Sequence, residues 1–157
     1  MPKELKLTID SRLENIELVS LAVHALVSYY GFEDKTAKAI ELCLVEAMNN
    51  SIKHSYDNQP GNPLEIKVFF VTDYLQIDII DYGRGMSCPL QKRELPKLDP
   101  NSIASLPECG YGLYLMQQIM DDVKYNVVGL ANIFTLIKYI NLKKVPMPKQ
   151  IFSDDFA

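Results

Sequence analysis

The chain has 157 residues, 48% of them apolar, and a formal net charge of −4 at pH 7, which is enough for one well-buried core and too little for two ordinary domains. Its mild acidity and unclustered basic residues argue against a protein that neutralises nucleic-acid phosphates, and no apolar run reaches the roughly 18 residues that span a bilayer. With no leader-like apolar segment behind Lys3 and no C-x-x-C pair, the expected setting is a reducing cytoplasm, with neither membrane nor nucleic acid as partner.

Leu5, Leu7 and Ile9 alternate within residues 3–10 and predict a first strand. Ser11 and Glu14 fit the S-x-x-E capping box, so a helix is expected next, with Ile16, Val19, Val23, Leu26 and Tyr30 on its apolar side and Gly31 at its end. A second helix is expected from Asp34 to about Tyr56, in which Cys43 reads as a small core residue. Cys88, Cys109, His24 and His54 are too scattered to suggest zinc. After the turn-rich stretch 57–63, Leu64, Ile66, Val68 and Phe70 alternate, and so do Leu75, Ile77 and Ile79, which predicts an antiparallel hairpin turning at Thr72 and Asp73.

Periodicity is lost between Gly83 and Gly110, where Pro89, Pro96, Pro100 and Pro107 fall. A loop of that length inside one domain is commonly functional. Leu113, Met116, Ile119, Met120 and Val123 restore helical spacing, strands are expected at about 124–128 and 132–140, and a lysine- and proline-bearing tail follows. The order β-α-α-β-β-loop-α-β-β predicts an α+β fold, a two-layer sandwich with a mostly antiparallel sheet. The domain is expected over residues 1–141, with 142–157 as a C-terminal tail.

Three features carry chemistry. Glu46, Asn50 and His54 recur at intervals of four, so they form a polar stripe on an otherwise apolar helix; the pattern fits either a solvated face or the wall of a pocket. Asp81 continues the inward row 75, 77, 79, which sets a carboxylate where a core residue is due, unless the chain turns out to water there. Gly110-Tyr111-Gly112 opens a helix, and glycines at that place expose N–H groups at the positive end of the helix dipole, suited to phosphate. Neither a G-x-x-x-x-G-K-[ST] loop nor the H-R-D and D-F-G pair of protein kinases is present.

Taken together, "EAMNN" on a helix, "DYGRG" after a strand and "GYGLYLM" opening a helix resemble the asparagine box and the two glycine boxes of the GHKL, or Bergerat, ATP-binding fold of histidine-kinase catalytic domains, the gyrase ATPase and anti-sigma serine kinases. "LPECGYGLYLMQQIMDDVKY" followed by "NIFTLIKYI" is similar to the RsbW-type anti-sigma-factor serine/threonine kinases, and the resemblance runs over about residues 3–141. It implies ATP and Mg2+ as cofactors, with Asn50 holding the metal, Glu46 as general base, and Asp81 accepting a hydrogen bond from the adenine amino group. Gly83 and Gly85 would let the base approach, Gly110, Tyr111, Gly112 and Leu113 would surround phosphate, and residues 86–109 would form a lid. Arg84, Lys92, Arg93 and Lys97 are candidate cations near the transferred phosphoryl group.

The implied activity is phosphorylation of a serine or threonine on a STAS-domain anti-sigma antagonist, in a partner-switching system that frees or sequesters a sigma factor, with a homodimer as the expected assembly. The alternative is an RsbT-like nucleotide-binding switch protein with little kinase activity. A detached histidine-kinase catalytic domain is a third reading, disfavoured because His24 lies inside the domain. Where relatives carry a glycine-threonine pair near the last strands, this chain has Gly129-Leu-Ala-Asn132, which puts the phosphate contacts there in doubt.

Overall fold

Strands form where the alternation predicts them. In a computed structural model that describes residues 3–86 and 110–140, β1 (Lys3–Asp10), β2 (Pro63–Phe70), β3 (Tyr74–Asp81), β4 (Asp122–Val128) and β5 (Ala131–Tyr139) join in one sheet of order β1-β2-β3-β5-β4. All neighbouring pairs are antiparallel. The expected lid beyond Met86 and the tail lie outside the described residues, and with them Cys88, Lys92, Arg93, Lys97 and Cys109.

The register pairs Val68 with Ile77 and Ile77 with Leu136, so one apolar row runs across the sheet. A slip of one residue would turn that row to the opposite face. Helices α1 (Leu13–Tyr29), α2 (Asp34–Asn50) and α3 (Tyr111–Ile119) supply the second layer of an α+β sandwich. Val23, Val27, Ile40, Leu44, Met48 and Met116 are fully buried together with the inward strand residues. Each large aliphatic side chain buried in this way contributes about 1.5–3 kcal/mol. Cys43 belongs to the same core, and burial pushes its thiol up to about 12, so it stays an inert thiol there.

Gly31 ends α1 as expected. Its φ is +87°, its N–H donates to Ser28 O, and the Phe32 N–H donates to Val27 O, the paired bonds of a left-handed helix terminus. The start of α1 differs from expectation. Arg12 is the N-cap residue and makes no side-chain cap bond. Ser11 is buried; its hydroxyl donates to Gln59 O at 2.7 Å and accepts from the Asn62 N–H at 3.1 Å. A buried hydroxyl must satisfy its tertiary neighbours, and here they lie in the loop before β2, so the local capping pattern is overridden.

Two further boundaries move. The helix expected to reach Tyr56 is α-helical only to Asn50 and continues as a π-helical turn over Ser51–Ser55. Val123, expected on the last helix, stands in β4. The chain leaves α3 early because Asp121 is tied to β5: its carboxylate accepts from the Tyr139 N–H at 2.7 Å, and Lys138 Nζ reaches both Ile119 O at 2.7 Å and Asp121 Oδ1 at 3.2 Å.

Candidate functional site

The polar stripe of α2 faces a cavity. Glu46 and Asn50 project one turn apart from the pocket side of the helix, and with Asp81, Gly110, Tyr111, Gly112 and Leu113 they line a space of about 270 Å3. Seven of the nine residues singled out in the sequence therefore meet in one place, brought there from three separate elements. His54 joins them by way of the π turn, which widens the end of the helix. Turns of this kind recur at functional sites.

Asp81 is the buried corner. It is 3% exposed and pairs with Asn132 across β3 and β5, so the strand carries the carboxylate inward as alternation requires and does not release it to water. Its Oδ1 accepts from Asn132 Nδ2 at 2.7 Å and from the Gly83 N–H at 3.1 Å. Oδ2 makes no hydrogen bond among the described residues, so one oxygen of a held carboxylate is left as an acceptor.

Gly83 and Gly85 are not in the cavity wall. A side chain at Gly83 would overlap the backbone carbonyl of Ser55, and one at Gly85 would come within 2.8 Å of the Tyr125 hydroxyl and 2.9 Å of Asn132 Oδ1. The first glycine thus permits the strand end to lie on the π turn, where the Arg84 N–H donates to Ser55 O at 3.0 Å. The second combines close packing with a φ of +84°. Their small size serves the wall behind the cavity.

That wall has further supports. Tyr56 donates its hydroxyl to Pro63 O at 2.6 Å and accepts the Tyr82 N–H at 2.8 Å, while the Tyr125 hydroxyl accepts the Met86 N–H at 2.8 Å. Burial raises both phenols above the ordinary tyrosine value, so both hydroxyls stay protonated. Arg84 is engaged at the rim, with Nη2 2.7 Å from Asp57 Oδ1, and is absent from the lining.

The opposite wall is the start of α3. Gly110 has a φ of 149°, and Tyr114 N–H donates to its carbonyl at 2.9 Å as the first bond of the helix. The N–H groups of Tyr111, Gly112 and Leu113 precede that bond and have no partner within the helix. Gly112 is a glycine for a reason visible here: an added Cβ would stand 2.7 Å from Glu46 Oε2. The Glu46 carboxylate thus rests against the first turn of α3.

Lys53, Asn49 and Ser51 also line the cavity, as do Tyr125 and Phe134 from the sheet. None of these was assigned a role of its own from the sequence, although Asn49 and Lys53 stand in the polar stretch 46–54. Lys53 could have been found, because it stands three residues after Asn50 and so shares its side of the helix. The aromatics had no local signal, since Phe134 alternates like any core residue.

The donors fit a nucleotide with a hard cation. No group of three acidic, histidine or cysteine side chains converges among the described residues, and magnesium commonly needs only one or two protein oxygens beside waters and substrate phosphates. The Asn50 side-chain oxygen is a donor of the kind such a site uses. Orphan N–H groups and Lys53 suit phosphate, and Asp81 Oδ2 suits an amino group.

Comparison with known proteins agrees with this arrangement. The histidine kinase-like ATPase domain family matches residues 9–138. The serine-protein kinase RsbW of Listeria monocytogenes serovar 1/2a is 27% identical over 147 residues, covering 92% of both chains, and RsbW of Bacillus pumilus is 25% identical over 144 residues, covering 90% of this chain and 88% of its own. Among solved structures, the RsbU and RsbW domains of Rv1364c from Mycobacterium tuberculosis share the fold with a TM-score of 0.60 at 12% identity. That match takes in 87% of this chain and about a third, 32%, of the solved one. The chain belongs to the histidine kinase-like ATPase domain family, and its sandwich is the Bergerat, or GHKL, fold.

Proposed function

We propose that this histidine kinase-like ATPase domain is an RsbW-type serine/threonine protein kinase and anti-sigma regulator, which uses ATP and Mg2+ to phosphorylate a STAS-domain antagonist in bacterial partner switching. The observation that carries the reading is the placement of Glu46 and Asn50 on one helix face, opposite the start of α3 and in the same cavity as Asp81. Similarity to RsbW proteins over nine-tenths of both chains supports it. A cytoplasmic homodimer is part of the same reading.

Asp81 Oδ2 accepts the amino group of adenine, and Asn132 and Gly83 hold the carboxylate from behind. The N–H groups of Tyr111, Gly112 and Leu113 receive phosphate oxygens, with the dipole of α3 favouring their negative charge. Asn50 would hold the metal through its side-chain oxygen, and the metal would supply neutralisation of charge on the phosphates. Glu46 takes the proton from the substrate hydroxyl as that oxygen bonds to the terminal phosphorus and the bond to the oxygen retained by ADP breaks. Glu46 is suited to this by its position, since it rests beside the phosphate-receiving turn without a hydrogen bond of its own among the described residues.

Calorimetric titration of ATP, with and without magnesium, tests the binding half. Magnesium-dependent binding is expected in the wild type, weakened about tenfold or more in Asp81→Asn and in Asn50→Ala. Radiolabelled phosphate transfer to a panel of STAS-domain proteins tests the kinase half. Binding without transfer to any acceptor would favour the nucleotide-dependent switch protein, and no binding by a folded wild type would overturn the reading.

A further inference from the structure

We propose that Arg84 is a positioning residue for the phosphate end of the cavity: it fastens the π turn at the end of α2 and so sets the direction from which Lys53 meets the nucleotide phosphates. The inference rests on the nucleotide reading above and adds to it a side chain that lies outside the cavity lining.

The π turn over Ser51–Ser55 is where the winding of the helix changes. Its bonds run from residue i to i+5, so each residue advances by less than the roughly 100° of an α-helix. Lys53 and His54 therefore point in directions that the regular spacing of α2 would not give them, and both line the cavity. Carbonyls at the end of a helix have no partner within it and are met from outside. Here the Asn58 N–H donates to Ile52 O at 3.0 Å, and the two consecutive carbonyls of His54 and Ser55 are taken by one residue. The Arg84 main-chain N–H donates to Ser55 O at 3.0 Å, and its Nη2 donates to His54 O at 3.3 Å.

A second hold comes from Asp57, whose Oδ1 accepts from the same Nη2 at 2.7 Å. Asp57 and Asn58 have φ of +49° and +59°, a left-handed pair that aspartate and asparagine tolerate better than most residues. The chain leaves the helix through this pair with the carboxylate against the guanidinium. A positive charge at the last carbonyls also suits the negative end of the helix dipole. Gly83 brings Arg84 to this place, because its missing side chain lets the end of β3 lie on Ser55.

The Arg84–Asp57 pair is exposed, its side chains 69% and 65% accessible, and such pairs add little to stability. Its effect is on direction. Lys53 has no side-chain hydrogen bond or ion pair among the described residues, so the backbone of the π turn alone aims it. Without the Arg84 side chain His54 O is left to water, the turn is held by main-chain bonds only, and Lys53 can swing from the phosphates.

The test measures MgATP by calorimetry and adenosine by competition on the full chain, since adenosine lacks the phosphates. Lys53→Met should weaken MgATP about tenfold. Arg84→Met should weaken it about three- to tenfold and leave adenosine within about twofold. In the double variant the loss should be no larger than in Lys53→Met alone, because Arg84 acts through Lys53. An MgATP affinity unchanged in Arg84→Met would mark a surface ion pair without further effect. Equal losses for MgATP and adenosine would mark a support of the fold, and losses that multiply in the double variant would mark an arginine that meets phosphate itself. Each of these overturns the inference and leaves the nucleotide reading standing. A folded wild type that binds neither ligand overturns both.

Discussion

The two ends of the cavity are built on opposite plans. At the Asp81 end nearly every polar group is held by another: Asp81 by Asn132 and Gly83, Tyr82 by Tyr56, Met86 by Tyr125. At the α3 end, Glu46, Asn49, Asn50 and Lys53 line the cavity with no side-chain hydrogen bond or ion pair among the described residues, and the first N–H groups of α3 are equally unspent. Recognition of a neutral base depends on fixed hydrogen-bond geometry, which the protein must supply beforehand. Phosphates and a cation bring their own charge, and groups already paired with one another would have to be separated before meeting them. A site can therefore be rigid at one end and unsatisfied at the other for a single physical reason.

The sharpest way to break this contrast is at Glu46. Glu46→Gln should lower phosphoryl transfer by about 10²–10⁴-fold while calorimetric ATP affinity stays within about threefold, since in the proposed reaction the carboxylate acts on the acceptor hydroxyl; an unchanged transfer rate would remove the chemical role of the α3 end.

Matched glycines make the next test. Gly83→Ala forces a Cβ into the Ser55 backbone and should cost about 1–3 kcal/mol, read from the midpoint of urea unfolding. Gly112→Ala meets only the end of the Glu46 side chain, which can swing aside, and alanine favours a helix by up to ~1 kcal/mol. Its stability should be unchanged or slightly higher, yet transfer should fall because the carboxylate is displaced. Equal destabilisation by the two substitutions would contradict the contrast.

Tyr56→Phe should remove about 1–2 kcal/mol by leaving Pro63 O and the Tyr82 N–H without their partner. The transfer rate at saturating ATP should hardly change, since Tyr56 supports only the Asp81 end.

The smallest effect concerns the brace on the far face of the sheet, where Lys6 Nζ lies 2.5 Å from Glu65 Oε2 and the Tyr82 hydroxyl donates to Glu65 Oε1 at 2.9 Å. Lys6 first, then Tyr82, holds the Glu65 carboxyl below its ordinary value. A depressed carboxyl contributes stability above its unfolded value, about 4.3, and loses it as pH falls through the lower folded value. Glu65→Gln should flatten that acid limb in a series of thermal melts and shift neutral-pH stability by no more than ~1 kcal/mol, because the lysine is exposed.

Much of the site was legible along the chain. Glu46 and Asn50 announced themselves by helical spacing, and Asp81 by strand parity, because both periods are properties of the backbone itself. What escaped was whatever depended on a neighbour remote in sequence. Gly83 and Gly85 were read only in terms of a ligand, and their close packing on Ser55, Tyr125 and Asn132 had no signal along the chain. Ser11 fitted a capping pattern and was claimed by the loop at Gln59 and Asn62. Lys53 shares the stripe of Asn50 but drew no role of its own, since a lysine on a helix is usually solvated surface.

By itself the sequence determined the strands, the three helices, the inward faces and the pair of carboxylates that mark the cavity, because hydrophobic periodicity and turn chemistry act over a few residues. Only the tertiary structure decided that α2 relaxes into a π turn at the cavity, that Asp121 draws the chain from α3 into β4, and that Asn132, 51 residues away, holds Asp81. Those choices depend on which buried polar groups find partners once the sheet has closed, and a buried donor or acceptor is satisfied by proximity in space, whatever its distance along the chain.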